Sequence, residues 1–107
     1  MNNFLFTGRL TRDAELRMVG PNGIPTAFFT VAIRRENGSD TDFIPCKVTG
    51  QQAEWFVLNV KKGREIEARA SIQTWRAEEG GQRYDRFIAK VEWFKARAKR
   101  TGQSDSN

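Results

Sequence analysis

The sequence predicts an all-β domain with a small α component, a five-stranded barrel that has one helix between strands three and four. The first observation behind this prediction is the segment 42–50, where Ile44, Cys46 and Val48 alternate with aromatic and polar residues in the two-residue period of a half-buried strand. The second is the segment 51–62, whose apolar residues have helical spacing. Two further strand-like segments lie on each side of this pair. That order of elements is the order of a Greek-key OB-fold barrel.

The first strand is predicted over residues 4–10 and continues with polar alternation to residue 17. Gly8 inside it indicates a bulge or a sharp bend, which a small barrel needs where a strand turns a corner. The turn cluster at residues 20–23 combines Pro21 with an Asn-Gly pair that tolerates positive φ. Strand two, residues 26–35, therefore starts just after this turn.

Both faces of strand two carry a phenylalanine. Phe29 shares its face with Val31, whereas Phe28 shares the other face with Arg34. Because a strand at the surface of a barrel needs only one apolar face, Phe28 has three open explanations. It stacks on a base, packs at a subunit contact, or packs beneath a loop.

The helix is predicted over residues 51–62, with Trp55 and Phe56 anchoring it on the barrel and Gly63 just past its end. Strands four and five are predicted over residues 64–75 and 83–94, joined by a hairpin tip that contains a Gly-Gly turn. Residues 1–95 are thus predicted to form one OB-fold domain. Residues 96–107 form a short basic and then polar tail that is predicted to be disordered.

Composition narrows the classes of function. The 107 residues carry 18 Lys and Arg against 13 Asp and Glu, a net charge of +5 that favours a polyanionic partner. Histidine is absent and Cys46 is the single cysteine, so the commonest general base and metal ligand are missing, and we predict no cofactor. With no apolar run near the ~18 residues of a membrane span and no secretory signal pattern, we expect a cytoplasmic, nucleoid-associated protein without a membrane partner.

The candidate chemistry is aromatic side chains interleaved with cations on exposed strand faces, a pattern typical of single-stranded nucleic-acid binding. Phe43 with Lys47 forms one group, and Trp75 with Arg69, Arg76 and Arg83 forms another. The predicted base-stacking residues are Phe43, Trp75, Phe28 and Tyr84. The predicted phosphate-binding residues are Arg34, Arg35, Lys47, Arg69, Arg76, Arg83 and Arg86.

An enzyme is not predicted. Glu78 and Glu79 are adjacent on a glycine-rich tip, where carboxylates are solvated rather than opposed across a cleft. Cys46 faces the interior by alternation and has no histidine to activate it. The glycines match neither a phosphate loop nor a dinucleotide fingerprint. An OB-like domain that binds only other proteins remains open at this point.

Several segments in the same order resemble the bacterial single-stranded DNA-binding protein family. They are Gly8-Arg-Leu-Thr-Arg-Asp-Ala-Glu-Leu-Arg17, Pro21-Asn-Gly23, Phe29-Thr-Val-Ala32, Asp42-Phe-Ile-Pro-Cys46, Gly50-Gln-Gln-Ala-Glu54 and Lys61-Lys-Gly63. The resemblance implies an OB-fold that binds and protects single-stranded DNA in replication, recombination or repair, without sequence preference or catalysis. It also implies homo-oligomers, with a tetramer favoured over a dimer, built partly by pairing of first strands.

Carried over by position, Phe43 falls where the family commonly has a stacking aromatic, and Lys47 lies on the same face. Trp75 lies within two residues, one strand period, of another position where the family has a stacking residue. Thr49 stands where many members have a further aromatic residue, and the loops 36–41 and 77–82 are short.

The family usually ends in a flexible tail with an acidic, hydrophobic tip that recruits replication or repair proteins, and no such tip is visible at residues 102–107. The chain is thus expected to be either truncated or a paralogue that recruits partners differently. The basic residues 95–100 either add phosphate contacts or form a solvated tail. The alternative function is that of a primosomal-type OB accessory module, which binds nucleic acid weakly and mainly bridges proteins.

Overall fold

The computed structural model describes residues 1–98, and in this part of the chain it contains six strands and one helix. They are β1 (Phe4–Leu10), β2 (Glu15–Val19), β3 (Ile24–Arg34), β4 (Thr41–Thr49), α1 (Gln51–Asn59), β5 (Glu65–Glu79) and β6 (Gln82–Ala96). Of the tail predicted at residues 96–107, residues 99–107 lie outside the described residues, and Ala96 is the last residue of β6.

Five of the strands form a closed ring. They are hydrogen-bonded in the order β1-β5-β6-β4-β3, and β3 returns to β1 at Arg9 and Leu10. The β4–β6 pairing is parallel and short, whereas the other pairings of the ring are antiparallel. The OB-fold barrel predicted from the sequence, with its helix after the third strand of the prediction, is confirmed.

The predicted first strand is divided into β1 and β2. The Thr11 amide donates to the Thr30 carbonyl (3.0 Å), and Glu15 is next in register with Phe28. Between these two positions the chain from β1 to β2 advances by four residues, whereas β3 advances by only two. This mismatch is the geometry of a bulge. In the described part of the chain β2 pairs with β3 alone and lies at the edge of the sheet.

Gly8 lies in β1 just before the residues that pair with β3. The β1–β5 register is regular from Phe4 to Arg9, so of the two predicted alternatives, a bulge or a sharp bend, the bulge at this position is wrong. A Cβ atom at Gly8 would lie 3.0 Å from the Ala32 carbonyl oxygen and 3.1 Å from Cγ1 of Ile33. The residue is therefore required by the close approach of β3 where the ring closes.

The helix packs against β3 and β4 through Phe56, which is fully buried. The Phe56 ring stacks on Phe29 with centroids 4.4 Å apart and meets Phe94 edge-on at 5.1 Å. The helix ends at Asn59 rather than at residue 62, because Val60 adopts extended backbone geometry and is buried in the core. Trp55 only borders this contact, since half of its surface stays exposed.

The β5–β6 hairpin is longer than predicted. Its arms reach Glu79 and Gln82, so only Gly80 and Gly81, both at positive φ, form the turn. Ala70 pairs with Val91 and Arg69 with Trp93, which leaves Glu92 as a bulged residue in β6. This bulge turns Val91 toward the core and Trp93 toward solvent.

Candidate nucleic-acid interface

One side of β3, β4, β6 and the outer half of β5 faces away from the barrel core, and we call it the outer face. Its cross-strand neighbours are Ala32–Phe43, Phe28–Lys47, Lys47–Lys90, Gln73–Ile88, Trp75–Arg86 and Ala77–Tyr84. Seven of the predicted site residues lie on it: Phe28, Arg34, Phe43, Lys47, Trp75, Tyr84 and Arg86. The strand period thus brings together residues from segments that are distant in sequence.

Phe43 has the geometry of a stacking platform. Its side chain is 63% exposed, and its neighbour across the β3–β4 ladder is the small side chain of Ala32. A phenylalanine left exposed on a strand loses the favourable transfer of its ring out of water, so the packing of the fold does not explain it. The exposed ring offers a base a flat apolar surface.

Lys47 is next to Lys90 on the parallel strand β6. The sequence analysis did not select Lys90, because it lies in strand five between apolar residues, and only the β4–β6 pairing places it beside Lys47. The two ammonium groups concentrate positive charge on the face that carries Phe43. Two like charges on neighbouring strands repel each other unless an anion lies between them.

A groove of about 510 Å³ crosses the outer face, with Phe28, Pro45 and Ile88 among its lining residues. The guanidinium carbon of Arg17 lies 5.3 Å from the centroid of the Phe28 ring, which is a cation–π contact. Phe28 is therefore half-buried and partly covered by a cation of β2. Arg17 and Arg12, which also lines the groove, were not selected by the sequence analysis, since neither is near an aromatic residue in sequence.

The β5–β6 hairpin presents Trp75 and Tyr84 on the same side, each about half exposed. Arg86 is directly opposite Trp75, whereas Arg76 and Arg83 lie on the other side of the hairpin because strand residues alternate. The predicted grouping of Trp75 with Arg76 and Arg83 is therefore wrong as geometry. Whether those arginines contact DNA stays a prediction.

All three hairpin arginines have acidic partners within the hairpin. Arg76 Nε lies 3.5 Å from Asp85, Arg83 Nε lies 3.8 Å from Glu78, and Arg86 Nη2 lies 2.5 Å from Glu79. All six side chains are at least half exposed. A phosphate that binds any of these arginines must compete with a carboxylate that is already in place.

Arg35 follows β3 and closes the loop that leads to β4. Its Nε and Nη2 atoms each donate to the Asp42 carboxylate at 3.0 Å, and this hydrogen bonding lowers the pKa of Asp42. Arg34, by contrast, projects from the outer face in register with Thr41. Of these two predicted phosphate ligands, Arg34 fits the role better, since the Arg35 guanidinium holds the loop together.

Arg69 lies on the part of the sheet that β5 forms with β1. Its neighbours in register are Leu5 on one side and Trp93 on the other, both largely exposed apolar side chains. Arg69 therefore lies between two apolar side chains rather than beside the predicted stacking residues.

Among residues 1–98, no cluster of three or more His, Cys, Asp or Glu side chains has the arrangement of a metal site. The described helix is not long and apolar enough to cross a membrane.

Comparison with known proteins bears on this interface. The model of the single-strand binding protein family matches residues 1–94. The chain belongs to this family. A single-stranded DNA-binding protein of Clostridium perfringens is 37% identical over 87 residues, which covers 78% of this chain and 58% of that protein. One from Streptococcus mutans is 38% identical over 117 residues, covering 99% of this chain and 70% of that protein.

Membership of this family does not favour the accessory-module alternative. The chain spans less than two thirds of the length of the Clostridium perfringens relative, 58%. Thr49, where a further aromatic residue is common in the single-strand binding protein family, is half-buried in register with Thr26 and supplies no ring. Any stacking on β4 therefore depends on Phe43.

Proposed function

We propose that this protein binds and protects single-stranded DNA without sequence preference and without catalysing a reaction. The observation that carries the proposal is the outer face, where the exposed rings of Phe43 and Trp75 lie on the same side of the sheet as Lys47 and Lys90. Its family and the names of its relatives support the same function. The cell processes concerned would be replication, recombination or repair, at the nucleoid.

The lack of sequence preference follows from the type of contact. Every base has an aromatic face, so stacking on Phe43 or Trp75 contributes roughly 1–3 kcal/mol per base whatever its identity. Lysine and arginine contacts to phosphate carry no sequence information either. In this proposal Phe43 and Trp75 are the main stacking residues, Tyr84 and Phe28 add to them, and Lys47, Lys90, Arg34 and Arg86 neutralise phosphates.

The proposal extends to a homo-oligomer, a tetramer in preference to a dimer. Within residues 1–98, β1 pairs with β5 along Phe4–Arg9, but it pairs with β3 only at Arg9 and Leu10, so most of its second edge is open. Leu5, 70% exposed on β1, and Trp93, half exposed on β6, flank Arg69 and line one groove, and we call these two side chains the apolar patch. Open edges and exposed apolar patches are features that subunit contacts cover.

Light scattering after size exclusion tests the oligomer. A tetramer has four times the chain mass of 12.3 kDa, and Leu5→Glu is expected to reduce this mass by placing a charge on the patch. Leu58→Glu is the matched control, because Leu58 is an equally exposed leucine on the helix. A monomeric wild-type protein would refute the oligomer.

Tryptophan fluorescence tests DNA binding itself. Since the chain has three tryptophans, the variant Trp55→Phe/Trp93→Phe leaves Trp75 as the only reporter. We expect oligo-dT to quench it deeply at about 50 and at about 200 mM salt, with little response to duplex DNA. Binding without quenching that disappears at the higher salt would mean that charge alone attracts DNA, and the stacking function would be rejected.

A further inference from the structure

The outer part of the β5–β6 hairpin, residues 73–87, is electrically neutral although the chain carries a net charge of +5. We call these residues the hairpin arm. It holds three arginines and three acidic residues, and each arginine is ion-paired with one of the acids. The arm that presents Trp75 and Tyr84 therefore attracts DNA phosphates less than its arginine content implies.

The three ion pairs lie on different sides of the arm. Arg76–Asp85 and Arg83–Glu78 are directly opposed in register on the side away from Trp75. Arg86, in register with Trp75, reaches along the outer face to Glu79, past the pair formed by Ala77 and Tyr84. Only the Arg86–Glu79 pair thus shares a side with the two exposed rings.

We propose that Glu79 is a specificity and affinity determinant for single-stranded DNA: its carboxylate occupies the Arg86 guanidinium in the free protein, and a backbone phosphate must displace it. The inference rests on the proposed function. A base stacked on Trp75 brings its own phosphate close to Arg86, because the two residues are direct neighbours across the ladder. The phosphate and the Glu79 carboxylate then compete for the same donors.

The position of the pair fits a displaceable carboxylate. Arg86 and Glu79 are 51% and 63% exposed, and ion pairs this accessible to water are weak. A phosphate therefore replaces the carboxylate at little cost, but the displaced carboxylate stays beside the bound strand and repels it. A polyanion with stacking bases gains from the exchange, whereas duplex DNA, whose bases are not free to stack on Trp75, does not.

The experiment compares oligo-dT binding by the wild-type protein, Glu79→Gln and two controls at several salt concentrations. We expect Glu79→Gln to bind about two- to fivefold more tightly at low salt, with a salt slope steeper by up to about 0.7, the value for one additional phosphate contact on a single strand. Duplex binding should tighten by at least the same factor, because Arg86 without its Glu79 partner accepts a phosphate even when no base stacks on Trp75.

The controls have the same change of net charge. Glu78→Gln lies on the same arm but pairs with Arg83 on the other side, and Glu54→Gln lies in the first turn of α1. If all three variants tighten binding equally, the effect is one of total charge and the inference is wrong. It is also wrong if Glu79→Gln binds as the wild type does or more weakly, since Glu79 would then be neutral or would position Arg86.

The proposed function and the role of Glu79 are refuted by different outcomes. If the Trp55→Phe/Trp93→Phe protein does not bind oligo-dT with quenching of Trp75, the proposed function is refuted. If it does so, but Glu79→Gln leaves binding unchanged, only the role of Glu79 is refuted. Because the Glu79 side chain is exposed and makes contact through its carboxylate, circular dichroism of Glu79→Gln should match that of the wild type.

Discussion

Lys47 and Lys90 are neighbours in register on the parallel strands β4 and β6, and both are only half exposed. Facing cations destabilise a sheet by an amount comparable to what opposite charges add, roughly 0.2–1 kcal/mol. An anion that binds between them removes this repulsion. The free fold therefore carries a small electrostatic cost that a bound anion would relieve.

The lysine pair gives the first prediction. Lys90→Ala should weaken oligo-dT binding and lower the salt slope by about 0.7, the value of one phosphate contact on a single strand, and Lys47→Ala should do the same. In the absence of DNA, either variant should unfold at a slightly higher temperature, since the repulsion is gone. Lys61→Ala, in an exposed position after the helix, is the control. A Lys90→Ala slope equal to the wild-type slope would remove Lys90 from the DNA contacts.

The second prediction ranks the two phenylalanines of the outer face. Phe43→Ala should weaken oligo-dT binding by about 1–3 kcal/mol with little change in unfolding temperature, because an exposed ring stacks on a base and packs little in the fold. Phe28→Ala should weaken binding less and destabilise the fold more, since Phe28 is half-buried and Arg17 already covers part of its ring. Titrations and thermal melts of both variants check the ranking. The reverse order of binding losses would make Phe28 the main platform.

The strands and the fold were predictable because the alternation of apolar residues is a local signal. The segment around Phe43 identifies both the core side and the exposed side of β4 without knowledge of any other strand. The same alternation places Trp75 and Arg76 on opposite sides of β5, so grouping them by their proximity in sequence was wrong. Thus the side of a strand on which a residue lies is predictable from alternation. Adjacency in sequence does not show that two strand residues share a side.

Contacts between distant segments were not predictable. Lys90 is 43 positions after Lys47, and their proximity depends on a parallel pairing of only two register positions. The Arg17–Phe28 contact depends on the bulge between β1 and β2, which shifts the register of the two strands. Gly8 is likewise required by the close approach of β3, and a local sequence pattern does not show that β3 lies beside it.

The third prediction concerns this closure of the ring. Gly8→Ala should destabilise the protein by about 1–3 kcal/mol, because the new Cβ would lie 3.0 Å from the Ala32 carbonyl oxygen, a backbone atom that cannot rotate away. Gly38→Ala is the control, since its Cβ would meet only the Asp40 amide nitrogen at 3.9 Å. Chemical denaturation of both variants measures the difference. Equal stability of Gly8→Ala and the wild type would show that β3 moves away at no cost.

The last prediction uses the single cysteine as a reporter of barrel integrity. Cys46 is buried in the core, and burial raises the pKa of its thiol from 9.0 to about 12. The thiolate is the reactive form, so at pH 8 the folded protein should react very slowly with a disulfide reagent, whereas the protein in denaturant should react within minutes. Rapid modification of the folded protein at that pH would mean that the strands around Cys46 open readily.

The raised pKa of Cys46 also determines whether the free energy of unfolding rises or falls at alkaline pH. In the unfolded chain the thiol ionises near pH 9, but in the folded barrel it stays protonated up to about pH 12. Ionisation therefore favours the unfolded state between these two values, and the free energy of unfolding should fall as the pH rises from 9 to 12. Cys46→Ser is unsuitable as a control because it buries a hydroxyl, so Cys46→Ala is compared instead. Its free energy of unfolding should be lower at pH 8 but should decline less steeply above pH 9, and parallel curves for the two proteins would contradict the assignment.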